Sequence, residues 1–168
     1  ILVGGTVLSE TIFPKVLETV VDQHAQLPGM FTLRLEDTDL ALLDGTTFDL
    51  TKEVEIKAQN AQNSFISLMK GEITALEPRF EAGHIAETVV RGYQKSHRLL
   101  RDIKSRTFLK QKDSAIAQTI AGEVGLSAQV EDSQVVHDYV SQHNQSDLAF
   151  LMERAWRIGY ECFVEDGK

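Results

Sequence analysis

The apolar residues of this 168-residue chain change their spacing near its middle, and that change limits the folds open to it. Phe31, Leu33 and Leu35 alternate with Thr32, Arg34 and Glu36, the period of two expected of a strand with one buried face. Val54, Ile56 and Ala58 repeat the pattern against Glu53, Glu55 and Lys57. Ile85, Val89 and Tyr93 extend it, although Ala86 and Val90 make the opposite face partly apolar. Residues 17–21 are rich in strand formers but alternate poorly. Turns are expected at Gln62-Asn63-Ser64, at Glu81-Ala82-Gly83, and at Leu27-Pro28-Gly29, where proline fixes one dihedral and glycine tolerates positive φ. Residues 40–43 read as one helical turn ended by Asp44-Gly45. Strands at this spacing, mostly without helices between them, predict an antiparallel sheet or small barrel.

In the second half the period lengthens. Ile116, Ala117, Ile120, Ala121 and Val124 recur at three- and four-residue steps, the stripe of a helix packed on one side. Asp113 or Ser114 is a candidate cap, because a short side-chain oxygen satisfies an orphan backbone N–H. Gly125 and Leu126 suit a Schellman-type stop. Residues 135–142 predict a strand. A second helix follows, capped by Asn144 or Ser146, with Asp147 in the first turn, where the helix dipole favours an anion. Leu148, Leu151, Met152 and Ala155 form its inner face, and Gly159 stops it. Tyr160-Glu161-Cys162-Phe163-Val164 predicts a closing strand. The expected class is α+β, mainly β. Residues 1–93 form a first β-barrel-like domain, 94–112 a basic connector, and 113–168 the start of a second, truncated domain with two helices.

Charge is distributed unevenly. The chain holds 17 basic against 25 acidic residues, a net charge of −8. Yet residues 91–112 carry Arg91, Lys95, Arg98, Arg101, Lys104, Arg106, Lys110 and Lys112 against only Asp102. A nucleic-acid reader would interleave such a band with stacking aromatics, whereas only Tyr93 and Phe108 flank this one, and the acidic remainder repels phosphate. The band is expected to pair with acidic surface of its own chain or of a neighbouring subunit, and nucleic acid is not an expected partner.

No constellation for catalysis or metal binding emerges. Among the histidines His24, His84, His97, His137 and His143, the last two share a strand face but lie ~20 Å apart, too far for one ion whose ligands sit at about 2 Å. Asp37 and Asp39, with Asp44 and Asp49 nearby, lack the glycine and distal glutamate of a calcium loop. Gly4-Gly5 and Gly122-Glu123-Val124-Gly125 lack the spacing of a phosphate loop. No serine stands in a Gly-x-Ser-x-Gly context. Cys162 is the sole cysteine, which excludes an internal disulfide and a cysteine zinc site, and its apolar neighbours suit a core thiol. No enzyme activity, cofactor or metal is expected. No apolar run reaches the ~18 residues of a membrane span, and the opening Ile-Leu-Val-Gly-Gly lacks the pattern of a secretory signal. A start without Met and an ending in Glu165-Asp166-Gly167-Lys168 predict a fragment of a longer protein.

Several stretches, in order along nearly the whole chain, resemble contractile-tail hub proteins, the phage late control gene D and VgrG-like spike family. Ser146-Asp147-Leu148-Ala149-Phe150-Leu151, continuing to Gly159-Tyr160 and an Asp166-Gly167 turn, is similar to the family's Glu/Gln-Ser-Asp-Leu-x-Phe helix, glycine and aromatic strand. The run from Lys70-Gly71-Glu72 to Leu76-Glu77 resembles its strand leaving the first barrel. Val90-Arg91-Gly92-Tyr93, followed by Gln94 to Leu99, resembles the next strand and its exit. Asp113-Ser114-Ala115 with Gly125-Leu126 resembles the following helix, and Val21-Asp22-Gln23 through Leu27-Pro28-Gly29-Met30-Phe31 suits the late control D branch. Trp156-Arg157-Ile158 stands where VgrG-like proteins often carry an acidic run, which favours the phage-tail branch.

The resemblance implies a structural baseplate hub: a homotrimer of paired barrel-like modules joining a tail tube above to a spike below, assembled in the cytoplasm into a tail or tail-like particle. It implies family-motif roles for Gly71, Gly92, Tyr93, Ser146, Asp147, Leu148, Phe150, Leu151 and Gly159. Arg91, Lys95, Arg98, Arg101, Lys104 and Arg106 are the candidate subunit interface, where opposed charges set register and partner choice. Two alternatives remain open at this point: a small-molecule or peptide-binding β-domain, and a tail-associated cell-wall hydrolase.

Overall fold

The computed structural model describes residues 1–24, 26–80 and 86–164. The chain divides into two compact units, Ile1–Gln94 and Lys95–Lys168. The Glu81-Ala82-Gly83 turn, His84, Ile85 and the Asp166-Gly167 turn lie outside the described residues.

The first unit is one antiparallel sheet of β1 (Leu2–Val3), β2 (Thr6–Val7), β3 (Val16–Asp22), β4 (Met30–Glu36), β5 (Glu53–Gln59), β6 (Phe65–Arg79) and β7 (Glu87–Tyr93), in the order β2-β1-β5-β6-β7-β4-β3. The alternation in β4 buries Phe31, Leu33 and Leu35, which join Leu42, Phe48, Val54, Ile56, Met69, Ile73 and Val90 in one core. Each such side chain contributes about 1.5–3 kcal/mol on burial. In β7, Thr88, Val89 and Val90 are all buried, which accounts for its poor alternation in sequence. β2 and β3 are the edges of this sheet, so its described ladder is open. One side-chain bond, from the Gln23 amide to the Leu68 carbonyl at 2.6 Å, bridges β3's end and β6, where a closed barrel would have a strand ladder.

β6 is the organising strand. Its first half pairs with β5, up to Glu53↔Glu72, and its second half with β7, from Glu72↔Tyr93 onward. Two glycines allow this change of partner. A Cβ on Gly71 would stand 2.5 Å from the Tyr93 carbonyl oxygen. A Cβ on Gly92 would stand 2.3 Å from the buried Phe31 ring and 2.4 Å from the Glu72 carbonyl oxygen. Residues 37–44 form turns, one of them closed over 40–44 by the Asp44 N–H donating to the Leu40 carbonyl at 2.9 Å. Buried Asp37 organises them: its carboxylate accepts from the Leu42 and Leu43 amides and from the Thr88 hydroxyl.

The second unit contains a 3-10 helix at Lys95–Leu100, then β8 (Ile103–Lys112), α1 (Asp113–Glu123), β9 (Val136–Ser146) and α2 (Asp147–Arg157). The stretch expected as a connector therefore holds the 3-10 helix and a long strand paired with β9. Both helices end alike. Leu126 N–H donates to the Ala121 carbonyl at 2.9 Å past Gly125 (φ +73°), and Tyr160 N–H to the Ala155 carbonyl at 2.9 Å past Gly159 (φ +74°). This left-handed glycine geometry is the Schellman stop. The core gathers Leu99, Phe108, Ile116, Ile120, Val140, Leu148, Phe150 and Leu151, with the Phe108 and Phe150 rings stacked 5.9 Å apart.

Two expectations are corrected. Residues 160–164 make no strand ladder: Cys162 and Val164 pack inward in a strand-like alternation, but no neighbouring strand is present among the described residues. α1 is not capped by Asp113 or Ser114; Lys112 occupies the cap position without a side-chain bond, because the Asp113 carboxylate is engaged elsewhere.

Candidate functional site

The basic band meets the Ser-Asp-Leu motif inside the second unit. Ser146 caps α2, its hydroxyl accepting from the Ala149 amide at 3.2 Å. That fixes Asp147 in the first turn, facing β8, where it is almost fully buried. Lys104 Nζ donates to Asp147 Oδ2 at 2.7 Å and Arg106 to Asp147 Oδ1 at 2.6 Å. Arg106 also reaches Glu123 at the end of α1 and Gln142 Oε1 on β9, and its guanidinium lies 5.1 Å over the Phe108 ring. The Gln142 amide closes the network on Asp147 Oδ1 at 2.9 Å. Burial pushes the Asp147 carboxyl upward, but Lys104, Gln142 and Arg106 outweigh it and hold the group below the usual carboxylate range. Lys104 is correspondingly raised by Asp147.

A second cluster ties the same elements together. Arg154 of α2 grips Asp113 with two donors, Nε to Oδ1 at 2.6 Å and NH2 to Oδ2 at 3.1 Å. His137 Nε2 on β9 lies 2.9 Å from Asp113 Oδ2. Burial raises the Asp113 carboxyl, and the bonds from Arg154 and His137 overcome that and lower it. Asp113, His137 and Arg154 were missed by sequence reasoning as a set. They are 24 and 41 residues from one another along the chain, measured from Asp113, and no local spacing signals such a contact.

The remaining residues singled out in the sequence fall as follows. Leu148, Phe150 and Leu151 are buried in the second core, and Gly71, Gly92 and Tyr93 meet where β6 changes partner. Arg91 pairs with Glu77 at 2.9 Å in the first unit. Lys95 and Arg98 lie on the 3-10 helix, Arg98 donating to the Val124 carbonyl at 2.9 Å, and Arg101 follows it, 3.3 Å from His97 Nε2. Lys104 and Arg106 are held by acids of their own unit. Burial pushes the Cys162 thiol up, which disfavours a thiolate. Among the described residues no group of three or more His, Cys, Asp or Glu side chains is placed to hold a metal ion, and no helix is long and apolar enough to cross a membrane.

This geometry builds mutually neutralised pairs around two buried carboxylates, Asp147 and Asp113, that fix the helices to β8 and β9 and to each other. Comparison with solved structures finds the same fold in a prophage tail protein and in a type VI secretion system component. The prophage MuSo2 43 kDa tail protein from Shewanella oneidensis matches with a TM-score of 0.66 at 12% identity, over 94% of this chain and 47% of that one. The E. coli c3393 protein matches with a TM-score of 0.58 at 17% identity, over 80% of this chain and 39% of that one. It is described as a component of the type VI secretion system with structural similarity to the T4 bacteriophage tail proteins gp27 and gp5. The chain thus spans less than half the length of these structures. No curated protein matches it. The family model described as the Alg8 N-terminal domain matches residues 1–168, and the chain belongs to that family.

Proposed function

We propose that this chain is the hub portion of a contractile-tail or tail-like injection baseplate, of the late control gene D and VgrG-like kind, and that it acts as a homotrimer joining a tail tube to a central spike. The observation that carries the reading is the likeness to a phage tail protein over 94% of the chain, together with the ordered motifs that end in Ser146-Asp147-Leu148. The role is mechanical, and the site chemistry suits it: Asp147 and Asp113 each lock a helix to a strand through charge-assisted hydrogen bonds, the strong class of such bonds. The second unit also leaves surface that assembly would cover. Leu109 and Tyr139, register partners on β8 and β9, are 62% and 61% exposed, on the side of the ribbon opposite buried Phe108 and Val140. A two-stranded ribbon is marginal by itself, and apolar surface of this kind marks association sites.

The interface assigned to Arg91, Lys95, Arg98, Arg101, Lys104 and Arg106 is tested by reversing Arg98 and Arg101 to Glu. Sedimentation should show loss of the trimer with the first unit's stability unchanged within about 0.5 kcal/mol, while the second unit also loses the Arg98 bond to the Val124 carbonyl, about 1.5–3 kcal/mol. Unchanged assembly overturns the role of the basic band.

A further inference from the structure

The stretch that joins β5 to β6 carries no charge and extends past the strands on either side of it. Ala58 to Met69 is 12 residues without Asp, Glu, Lys or Arg, the longest such run in the chain. The ladder of β1 on β5 stops at Glu55, and that of β7 on β6 begins at Glu72. Residues 57–59 and 65–67 therefore pair with each other alone, as a hairpin beyond the sheet. Residues 61–68 are all exposed, Phe65 by 71%, with Ile66 and Leu68 following it. A two-stranded ribbon is marginal by itself, yet this one is fixed at both ends. At the tip, Asn60 Oδ1 accepts from the Gln62 and Ser64 amides at 3.0 and 2.9 Å, and the Asn60 N–H donates to the Ser64 carbonyl at 2.9 Å. At the base, the Gln23 side-chain amide donates to the Leu68 carbonyl.

The charge pattern bears on what covers it. Residues 1–94 hold 7 basic and 14 acidic side chains, so a cationic partner would be drawn to the rest of the unit rather than to an uncharged hairpin. A second copy carries the same acidic excess, and like charges facing each other across a contact are costly. Two copies therefore approach most readily where neither brings a charge. Depletion of charge around aromatic and aliphatic side chains is also the composition of an interface core. An exposed apolar strand edge with no charge or proline to blunt it, such as Phe65–Leu68, is a template for pairing with another chain.

We propose that copies of this chain meet through the hairpin, hairpin against hairpin, with Phe65, Ile66 and Leu68 covered in the assembled state. The preformed tip spares the ordering cost that a loose loop would meet on association. The inference deepens the hub reading and rests on its self-assembly, naming the contact made by the first unit.

The test compares Phe65→Glu, Phe65→Lys and Ile66→Glu with the parent 168-residue protein by sedimentation over a range of concentration. Each variant should weaken association by about tenfold or more, because the copies then present like charges to each other, while far-UV and near-UV circular dichroism stay unchanged. An equimolar mixture of Phe65→Glu and Phe65→Lys should recover association, since opposite charges then face each other. Association unaffected by the variants, or a mixture no stronger than either variant alone, would overturn the hairpin contact and leave the trimeric hub standing. A dimeric parent that Phe65→Glu dissociates would keep the hairpin contact and overturn the trimer. A parent that is monomeric at every concentration would overturn both.

Discussion

Arg154 Nε lies 2.6 Å from Asp113 Oδ1, joining the last turn of α2 to the first residue of α1 across 41 positions of sequence. Both side chains are mostly buried, 14% and 7% exposed. Removing one partner from such a pair leaves an uncompensated charge. Asp113→Ala should therefore destabilise the second unit by about 3 kcal/mol, read as a lowered denaturant midpoint for that unit alone. A loss below about 0.5 kcal/mol would show that solvent replaces the carboxylate without cost.

Gly92 and Phe31 provide a packing test in the first unit. Gly92→Ala places a methyl carbon against the Phe31 ring and the Glu72 carbonyl oxygen, and overpacking of this kind costs about 1–3 kcal/mol. Shrinking the ring with Phe31→Leu in the same chain should recover part of the loss, because one of the two clashes is relieved. Strict additivity of the two substitutions in chemical denaturation would contradict this contact.

The acid response follows from Asp37, Asp113 and Asp147, whose carboxyls all lie below their ordinary values in the folded protein. Burial opposes ionisation in each. It is outweighed at Asp37 by the Leu42 and Leu43 amides and Thr88, and at the other two by cationic partners and further side-chain bonds. A carboxyl lowered on folding adds stability that is fully present above its unfolded value, about 3.9, and is lost as pH falls through the folded value. Stability should thus hold from neutral pH to about 5 and fall steeply below about 4. Asp147→Asn should flatten the fall for the second unit; an unchanged slope would remove Asp147 from this role.

Tyr139→Glu bears on the exposed ribbon face. The side chain is 61% exposed, so folding should change by no more than about 0.5 kcal/mol, while a charge in an apolar interface should weaken assembly at least tenfold in sedimentation. Loss of folding together with assembly would show that the face has a structural role within the unit instead.

Much of this architecture is legible in the amino-acid sequence, and the exceptions share a cause. β4 and β5 announce themselves because Phe31, Leu33 and Leu35, and Val54 and Ile56, face one core. α1 and α2 are bounded by left-handed Gly125 and Gly159, which no other residue type fills as readily. β8 is hidden because its inward face reads Lys104, Arg106, Phe108, and two cations look solvated until Asp147, Glu123 and Gln142 arrive from elsewhere in the fold. Residues 160–164 mislead in the opposite sense: alternation describes one strand's faces and says nothing of a neighbour to pair with. The Asp113–His137–Arg154 cluster is invisible in sequence for the same reason, since its members belong to three elements and meet only after folding.

The mass of the protein in solution bears most directly on the proposal that it assembles as a trimeric hub. Sedimentation across a hundredfold range of concentration should show a species of three times the 18.8 kDa chain mass, growing with concentration at the expense of monomer. A monomer that persists to the highest concentration would contradict self-assembly through these surfaces.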